Sequence, residues 1–409
     1  MVANELVKDS SYKVFFISLF EEQPQPFFPI DEAIKRDTVY STVTHGIQHY
    51  FDTVKQLRGL VKKHHIDVLI DIDGILDMYT LPLKRGTGVK VISWEHFNYL
   101  QNPGVPYRKL TRPWAARKAD AIVTLTTADK NLYEQHLNPK CPVIDIPNPM
   151  IVPSPAPVYA AASQTILSSG RLTYQKGFDM LVDVAEQVLP RHPDWQWLIL
   201  GEGEDRPMLE EKIARAGIGK QLILKGRVPD TDSYYRKSAF FVLTSRFEGL
   251  PMVLLEAKAY GLPIVSFDCP TGPSEIIEDA LNGNLVRPDD ISGMAESVNR
   301  LIEDRAIRER YALHAGDGDG RFAKETIIDQ WKTLLNMVLR PDIKVVIRMN
   351  DNLQHSAGAR RISWVDYGKG LAILLVFWGH AICPEPVRAS FYAFHIPVFY
   401  FLSGYVFSH

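Results

Sequence analysis

Two glutamates eight positions apart are the residues whose type and spacing most directly suggest chemistry. Glu248 and Glu256 flank a turn that contains Gly249 and Pro251 and follows the apolar run 239–244. Glycine permits a tight turn, and proline suits the first position of a helix. The free N–H groups at the start of that helix would form an anion site fit for a diphosphate, with both carboxylates facing one ligand. Taken alone, each glutamate is more simply explained as a solvated side chain.

A second loop supplies the opposite charge. Arg171 follows the apolar run 165–169 and Gly170, and Lys176 precedes Gly177 and a predicted helix. Arginine offers a planar fork for phosphate oxygens, and lysine offers a point charge. Both residues come at the carboxyl end of a predicted strand, where open parallel sheets bind ligands. An isolated Arg and Lys five positions apart would more often be surface charges.

The first half of the chain carries two further candidate features. His96 lies in the loop 93–98 after a predicted strand, where a structural histidine is the simpler interpretation. The following stretch, 99–118, mixes Tyr107 and Trp114 with arginines and lysines. Cations among aromatics suit an anionic membrane surface or a lipid-diphosphate acceptor. A solvated helix face explains this stretch equally well.

The hydrophobic pattern predicts the scaffold that positions these residues. Short apolar runs that read as buried strands alternate with helical spacing, at 12–18, 67–71, 89–93, 121–125, 165–169, 195–200, 222–224, 239–244 and 263–267. This alternation predicts an α/β fold with parallel sheets covered on both faces. Five prolines within 147–157 predict a stiff linker between two such domains, and therefore a ligand-binding cleft between them.

Composition excludes several classes of protein. The 409 residues are 46% hydrophobic and 23% charged, which excludes a mainly disordered chain. The formal net charge of −2 argues against a nucleic-acid partner. The three cysteines are widely spaced, so they predict a reducing compartment without disulfides or a zinc ribbon. The first residues show no secretory signal pattern.

The chain becomes apolar near its end. After a polar linker at 341–361, residues 367–383 and 389–407 form two apolar stretches close to the roughly 20 residues that span a bilayer. They predict a pair of transmembrane helices, and the preceding arginines favour a cytoplasmic start. A buried hairpin of a soluble domain is the alternative.

The motifs taken together resemble retaining glycosyltransferase family 4 over about residues 1–340. The resemblance rests on the two glutamates, the Arg171–Lys176 loop, the sequence Gly201-Glu202-Gly203 and the segment 268–277. It implies a GT-B fold, with two Rossmann-like domains facing a cleft, an acceptor domain at 1–150 and a nucleotide-sugar-binding domain at 151–340. The chain begins within what resembles the family's first helix, so the opening strand and glycine-rich loop are expected to be missing.

The same resemblance implies a role for each candidate residue. Arg171 and Lys176 would hold the diphosphate, Glu256 the ribose hydroxyls, and Glu248 and His96 would face the donor sugar. The remaining donor-binding positions are Gly249, Leu250 and Pro251 at the phosphates, with Val228 and Gly203 in neighbouring loops. The implied donor is a nucleotide diphosphate sugar, most often a UDP-sugar in this family, and no metal is implied.

Residues 362–409 resemble the opening of acyltransferase family 3. His380 would be its candidate catalytic residue, with Asp366 and Lys369 near the membrane face. Because only two of that family's many spans are present, this segment is interpreted as a membrane anchor or a broken fusion.

The sequence therefore predicts a retaining glycosyltransferase at the cytoplasmic face of the membrane. It would move a hexose or N-acetylhexosamine to a lipid-linked or surface-polysaccharide acceptor. Two alternatives stay open: an impaired remnant that binds nucleotide without turnover, and a membrane O-acyltransferase fragment with a glycosyltransferase appendage.

Overall fold

The computed structural model describes residues 1–21, 26, 29–42, 49–101, 107–153 and 155–340, together with the backbone of 404–407. In these ranges the chain forms two sheets, each covered by helices, which confirms the predicted α/β class. The described helices are α1 (Val2–Leu6), α2 (Tyr50–His64), α3 (Asp77–Thr80), α4 (Lys84–Thr87), α5 (Arg108–Lys118), α6 (Thr127–Leu137), α7 (Phe178–Val188), α8 (Arg206–Ala216), α9 (Asp232–Arg236), α10 (Met252–Ala259), α11 (Pro273–Ile276), α12 (Ile291–Glu303), α13 (Arg305–Leu313) and α14 (Lys324–Leu339).

The first sheet has the strand order β2-β1-β13-β3-β4-β5-β6. Its strands are β1 (Val14–Ser18), β2 (Lys35–Thr38), β3 (Val68–Ile72), β4 (Lys90–Trp94), β5 (Ala121–Thr124), β6 (Val143–Asp145) and β13 (Gly404–Phe407). Neighbouring strands are parallel, except that β13 runs antiparallel to both β1 and β3. The side chains of β1 alternate between the two faces, with Phe15 and Ile17 on one and Val14 and Phe16 on the other.

The position of β13 corrects one part of the sequence analysis. Residues 404–407 fall in the second predicted membrane span, but their backbone pairs with β1 and β3. For these four residues the prediction of a membrane helix is therefore wrong. The first predicted span, the linker 341–361 and the remainder of the second span lie outside the described residues. Among the helices that the structure describes, none combines the length and apolar character needed to cross a bilayer.

The second sheet is fully parallel, with the order β12-β11-β10-β7-β8-β9. Its strands are β7 (Thr165–Ser169), β8 (Gln196–Leu200), β9 (Leu222–Gly226), β10 (Phe240–Leu243), β11 (Ile264–Phe267) and β12 (Gly283–Val286). The strand order reverses between β7 and β10, and the helices that follow these strands, α7 and α10, cover opposite faces of the sheet. Ligands of open α/β sheets bind at such a switch point.

The chain passes between the two domains twice. The first passage follows β6, and the second precedes α14, which returns to the first domain. There the indole of Trp331 in α14 lies edge-on to Trp94, with ring centroids 4.6 Å apart, and Lys332 pairs with Asp9 at 2.7 Å. The two passages are joined by a hydrogen bond from Met150 N–H to the Phe322 carbonyl, 2.9 Å. Helix α14 therefore packs with the first domain, although its sequence continues the second domain.

Candidate active site between the two domains

A buried ion pair lies at the switch point of the second sheet. Lys176 ends a short 3-10 turn after β7, and Glu248 lies in the loop after β10. The Lys176 Nζ is 2.6 Å from Glu248 Oε1, and both side chains are largely buried, 18% and 6% exposed. The resemblance described above assigns both residues to one donor molecule, and the structure places them side by side.

Backbone contacts hold the two loops in register. Arg246 N–H donates to the Gln175 carbonyl at 2.9 Å, and the Gln175 side-chain amide donates to the Phe247 carbonyl at 3.1 Å. The Arg246 guanidinium forms a two-pronged contact with Asp179, at 2.8 and 2.6 Å, at the start of α7. The separation of Lys176 and Glu248 is therefore set by paired loops rather than by two free side chains.

Gly177 lets these loops approach each other. Its φ is +63°, a left-handed conformation that favours glycine. A Cβ at this position would lie 2.1 Å from the Thr244 carbonyl oxygen, at the end of the strand that leads to Glu248. A side chain here would push the Lys176 turn away from β10.

Arg171 lies beside this pair with a different partner. Its Nη2 is 3.0 Å from Glu204 Oε2, and burial lowers the pKa of Arg171 to about 10 despite the attraction of Glu204. Lys176 lies along the same loop, its aliphatic stem packed over Gly170. The guanidinium and the amine thus flank one turn, but Arg171 does not pair with Glu248.

Gly203 packs against the backbone of the turn that carries Arg171. A Cβ on Gly203 would stand 2.2 Å from the Leu172 carbonyl oxygen, so only glycine fits against this backbone. The Glu202 carbonyl accepts from Leu172 N–H at 3.0 Å. Val228, the other predicted neighbouring position, is half-buried just beyond β9. The structure gives Gly203 a packing role and places Val228 in a loop of the same sheet.

Glu256 lies within α10, and a tyrosine fixes its carboxylate. Tyr235 Oη donates to Glu256 Oε2 at 2.7 Å, and the Tyr235 ring is stacked between Phe241 and Tyr260, with centroids 5.9 and 5.0 Å away. Burial raises the pKa of Glu256 above its usual value, and the hydrogen bond from Tyr235 and the charge of Lys176 oppose this rise. Tyr235 was not identified from the sequence, because its contact with Glu256 joins residues from two separate elements.

Helix α10 begins one residue later than the sequence predicts. It runs from Met252, and Pro251 precedes it with an extended ψ of 95° rather than taking the first helical position. Leu250 and Pro251 are buried, and the helix starts directly after the turn that carries Glu248. The first N–H groups of α10 are therefore near the ion pair, as an anion-binding site requires.

The first domain contributes the opposite wall. Gly249 packs against the His96 carbonyl so closely that a Cβ would lie 2.6 Å from its oxygen. Asn98 donates its side-chain amide to Thr271 Oγ1 at 2.9 Å, and that hydroxyl donates to the Glu248 carbonyl. The loop that carries His96 therefore meets the loop that carries Glu248.

His96 is held in a neutral state. Burial, with a smaller effect from the Arg108 charge, lowers the pKa of His96 to about 3. Its ring lies 4.7 Å from that of Trp94, and its Nε2 is buried without a hydrogen-bond partner among the described residues.

Buried charges hold the His96 loop in place, and they correct another expectation. Arg108 forms a two-pronged pair with Asp73 at 2.5 Å, and Glu95 lies 3.7 Å from Arg108 and 3.5 Å from Arg112. The sequence analysis grouped both arginines with an exposed basic stretch. Both are buried, at 3% exposure each, because their acidic partners lie behind α5.

The remaining predicted site residues are not described. His380, Asp366 and Lys369 lie outside the described residues. Within the described ranges, no group of His, Cys, Asp and Glu side chains is arranged to hold a metal ion.

Comparisons with known proteins agree with this architecture. Residues 160–315 match the family model of glycosyl transferases group 1, and residues 2–150 match that of glycosyltransferase family 4. An uncharacterized glycosyltransferase of Haemophilus influenzae is 32% identical over 334 residues, covering 82% of this chain and 94% of the relative. The amylovoran biosynthesis glycosyltransferase AmsD of Erwinia amylovora is 29% identical, covering 81% and 93%. The lipopolysaccharide 1,6-galactosyltransferase of Escherichia coli is 25% identical, covering 66% and 75%.

Solved structures share the fold. Sucrose-phosphate synthase of Thermosynechococcus elongatus superposes with a TM-score of 0.70 at 16% identity, covering 83% of this chain and 92% of that one. HepE of Anabaena, solved with UDP and glucose, gives a TM-score of 0.62 at 19% identity, covering 74% and 86%. With the two facing sheets, these likenesses support the GT-B-like fold. The chain belongs to the glycosyltransferases, with a family 4 domain followed by a group 1 domain.

Proposed function

We propose that this enzyme is a retaining glycosyltransferase that moves a hexose or N-acetylhexosamine from a UDP-sugar to a lipid-linked or growing surface glycan. The observation that carries the proposal is the Lys176–Glu248 pair, which lies at the switch point of one domain and beside the His96 loop of the other. A bound sugar diphosphate would replace the internal partner of Lys176 and lie between the two walls.

Each residue has a role in the proposed reaction. Lys176, Arg171 and the first N–H groups of α10 stabilise the negative charge that grows on the departing diphosphate. Glu256, oriented by Tyr235, accepts hydrogen bonds from the ribose hydroxyls. Neutral His96 accepts a hydrogen bond from a sugar hydroxyl through Nε2, and Glu248 faces the sugar ring.

The bond changes follow from retention of configuration. The bond between the sugar C1 and the diphosphate oxygen breaks, and the acceptor oxygen forms a new bond to C1 on the same face. The acceptor's proton passes to the leaving diphosphate. The cations on the diphosphate side make this oxygen a better leaving group because they lower the energy of its developing charge.

The relatives guide the choice of donor and acceptor. AmsD acts in amylovoran biosynthesis, and the Escherichia coli relative is a lipopolysaccharide galactosyltransferase, so glycans of the cell surface are the proposed acceptor class. The HepE structure with UDP and glucose supports the choice of a uridine donor. A lipid-linked acceptor, together with the apolar stretch 367–383 and the arginines that precede it, favours a location at the cytoplasmic face of the membrane.

A donor panel tests the proposal. The full chain is screened by thermal shift against UDP-, GDP-, ADP- and dTDP-sugars, since a ligand that binds the folded state raises its melting temperature. The best donor is then incubated with lipid-linked saccharide acceptors, and nucleotide release and the anomeric configuration of the product are measured. An inverted product contradicts retention. The impaired-remnant alternative is supported instead if the chain binds a donor but transfers sugar to no acceptor, and if Lys176→Met binds that donor as well as wild type does.

A further inference from the structure

Charge is distributed unevenly over the first domain. Among the described residues of 50–120, seven basic side chains are exposed and one acidic side chain is. The exposed acid, Asp52, already accepts hydrogen bonds from Tyr40 and Gln56. The chain as a whole has a net charge of −2, so this excess is local. The seven exposed basic residues are Lys55, Lys62, Lys63, Arg85, Lys109, Arg117 and Lys118.

These cations occupy one side of the domain. Leu57 of α2 and Ala115 and Ala116 of α5 pack into the same core cluster, so both helices cover the same face of the first sheet. The segment that contains Arg85 lies against α5, where the neighbouring Lys84 donates to the Lys118 carbonyl at 2.6 Å. The outer surfaces of α2, α4 and α5 therefore belong to one side, which we call the basic face.

The basic face also exposes large apolar side chains. Phe51 of α2 is 85% exposed, and Leu110 and Trp114 of α5 are 72% and 37% exposed. Leu110 and Trp114 are one helical turn apart and lie between Lys109 and Arg117. Aromatic and aliphatic side chains among cations on an outward helix face are typical of surfaces that bind membranes.

Among the described residues, none of the seven basic side chains of this face forms an ion pair, and Arg117 donates only to the Pro113 carbonyl of its own helix at 3.3 Å. Within the described residues, the ion pairs of α4, β4 and α5 use other cations, namely Lys84, Lys90, Arg108 and Arg112. The inward residues Arg108 and Arg112 of α5 are held by buried partners, so its outward cations can meet an external anionic surface without the loss of an internal ion pair.

We propose that the basic face docks the first domain on a bilayer rich in anionic lipids. Lysines and arginines would lie at the phosphate level, and Phe51, Leu110 and Trp114 would enter the headgroup region. The apolar residues favour a bilayer over a soluble polyanion, because a polyanion would give them nothing apolar to contact. This inference shares only the membrane location with the proposed function and does not require that sugar transfer occurs.

Vesicle binding by the full chain tests the proposal. The wild-type chain should sediment with phosphatidylglycerol-containing vesicles and much less with pure phosphatidylcholine. Each basic residue near an anionic surface contributes about a fivefold gain in affinity, so R117E/K118E should bind at least about 25-fold more weakly. The matched control K220E/K225E makes the same charge change at exposed lysines of the second domain and should bind like wild type.

A second variant separates insertion from simple charge attraction. F51S/L110S keeps every cation and should also weaken vesicle binding, with a nearly unchanged thermal midpoint because these side chains are 85% and 72% exposed. Sugar transfer to a water-soluble acceptor should be unaffected in both variants, so a failure of docking is distinguishable from a failure of the enzyme. Equal vesicle binding by R117E/K118E and wild type overturns the proposal. So does equal weakening in K220E/K225E, or binding to heparin without binding to vesicles.

Discussion

Replacement of Lys176 by methionine should disable sugar transfer more than it destabilises the protein. Methionine keeps the aliphatic stem that packs over Gly170 but removes the amine that lies 2.6 Å from Glu248. Loss of a preorganised donor to a developing negative charge typically lowers kcat by about 10²–10³. We expect a loss in this range, and at least tenfold, at saturating donor.

The same substitution should also lower the free energy of unfolding, because it breaks the ion pair with Glu248. Breaking a fully buried ion pair costs about 3–5 kcal/mol, because one charge is left without a partner. Lys176 is 18% exposed, and water can partly solvate the Glu248 carboxylate that remains. We therefore expect Lys176→Met to lower the free energy of unfolding by about 2 kcal/mol. The double variant K176M/E248Q removes the unpaired charge, so it should regain most of that stability while it stays inactive.

Steady-state release of UDP, with urea denaturation of the same preparations, separates the two effects. Lys220→Met serves as the control, because that lysine is exposed in the same domain and away from the ion pair. If Lys176→Met turns over within about threefold of wild type, the proposed role of the amine at the diphosphate is wrong. If the double variant recovers activity with stability, the pair is structural.

Three further outcomes are expected. Tyr235→Phe removes the hydroxyl that donates to Glu256, and a hydrogen bond to a charged group is worth about 1.5–3 kcal/mol. Calorimetry should therefore show UDP binding at least about tenfold weaker, with kcat little changed. Unchanged affinity would contradict the proposed role of Glu256 at the ribose. Burial raises the pKa of Asp71 and Asp77 in the folded state, so unfolding releases protons. The free energy of unfolding should therefore fall as the pH rises above the usual pKa of aspartate. In urea denaturation, Asp77→Asn should flatten this pH dependence, and the same slope as wild type would show that Asp77 is not responsible for it. Because the pKa of His96 is about 3, the rate should show no histidine inflection between about pH 5 and pH 8, and an inflection that disappears in His96→Ala would disprove its neutrality.

The buried strands were predictable because they consist of continuous apolar runs. The predicted run 165–169 coincides with β7, and 222–224 is the start of β9. Strand β2 was missed, since its sequence Lys-Arg-Asp-Thr is polar and mostly exposed at the edge of the sheet. An edge strand has one neighbour and little buried surface, so the pattern of its side chains carries no periodic signal.

The candidate site was predictable to the extent that its residues follow strands. Lys176 and Glu248 each come after a parallel strand, and the switch point brings them together. Partners set by tertiary packing were not predictable: Arg171 pairs with Glu204, and Arg108 is buried by Asp73, which lies 35 positions away. No spacing rule connects such distant residues.

The double passage of the chain between domains limits how the cleft can open. The two passages are hydrogen-bonded to each other through Met150 and Phe322, so they form one narrow connection rather than two separate tethers. Sliding or twisting apart would shear this connection, whereas rotation about it would leave its bond intact. A rotation that opens the cleft would therefore have to break the contacts that cross it, which include Asn98 with Thr271 and Ala128 N–H with Glu275.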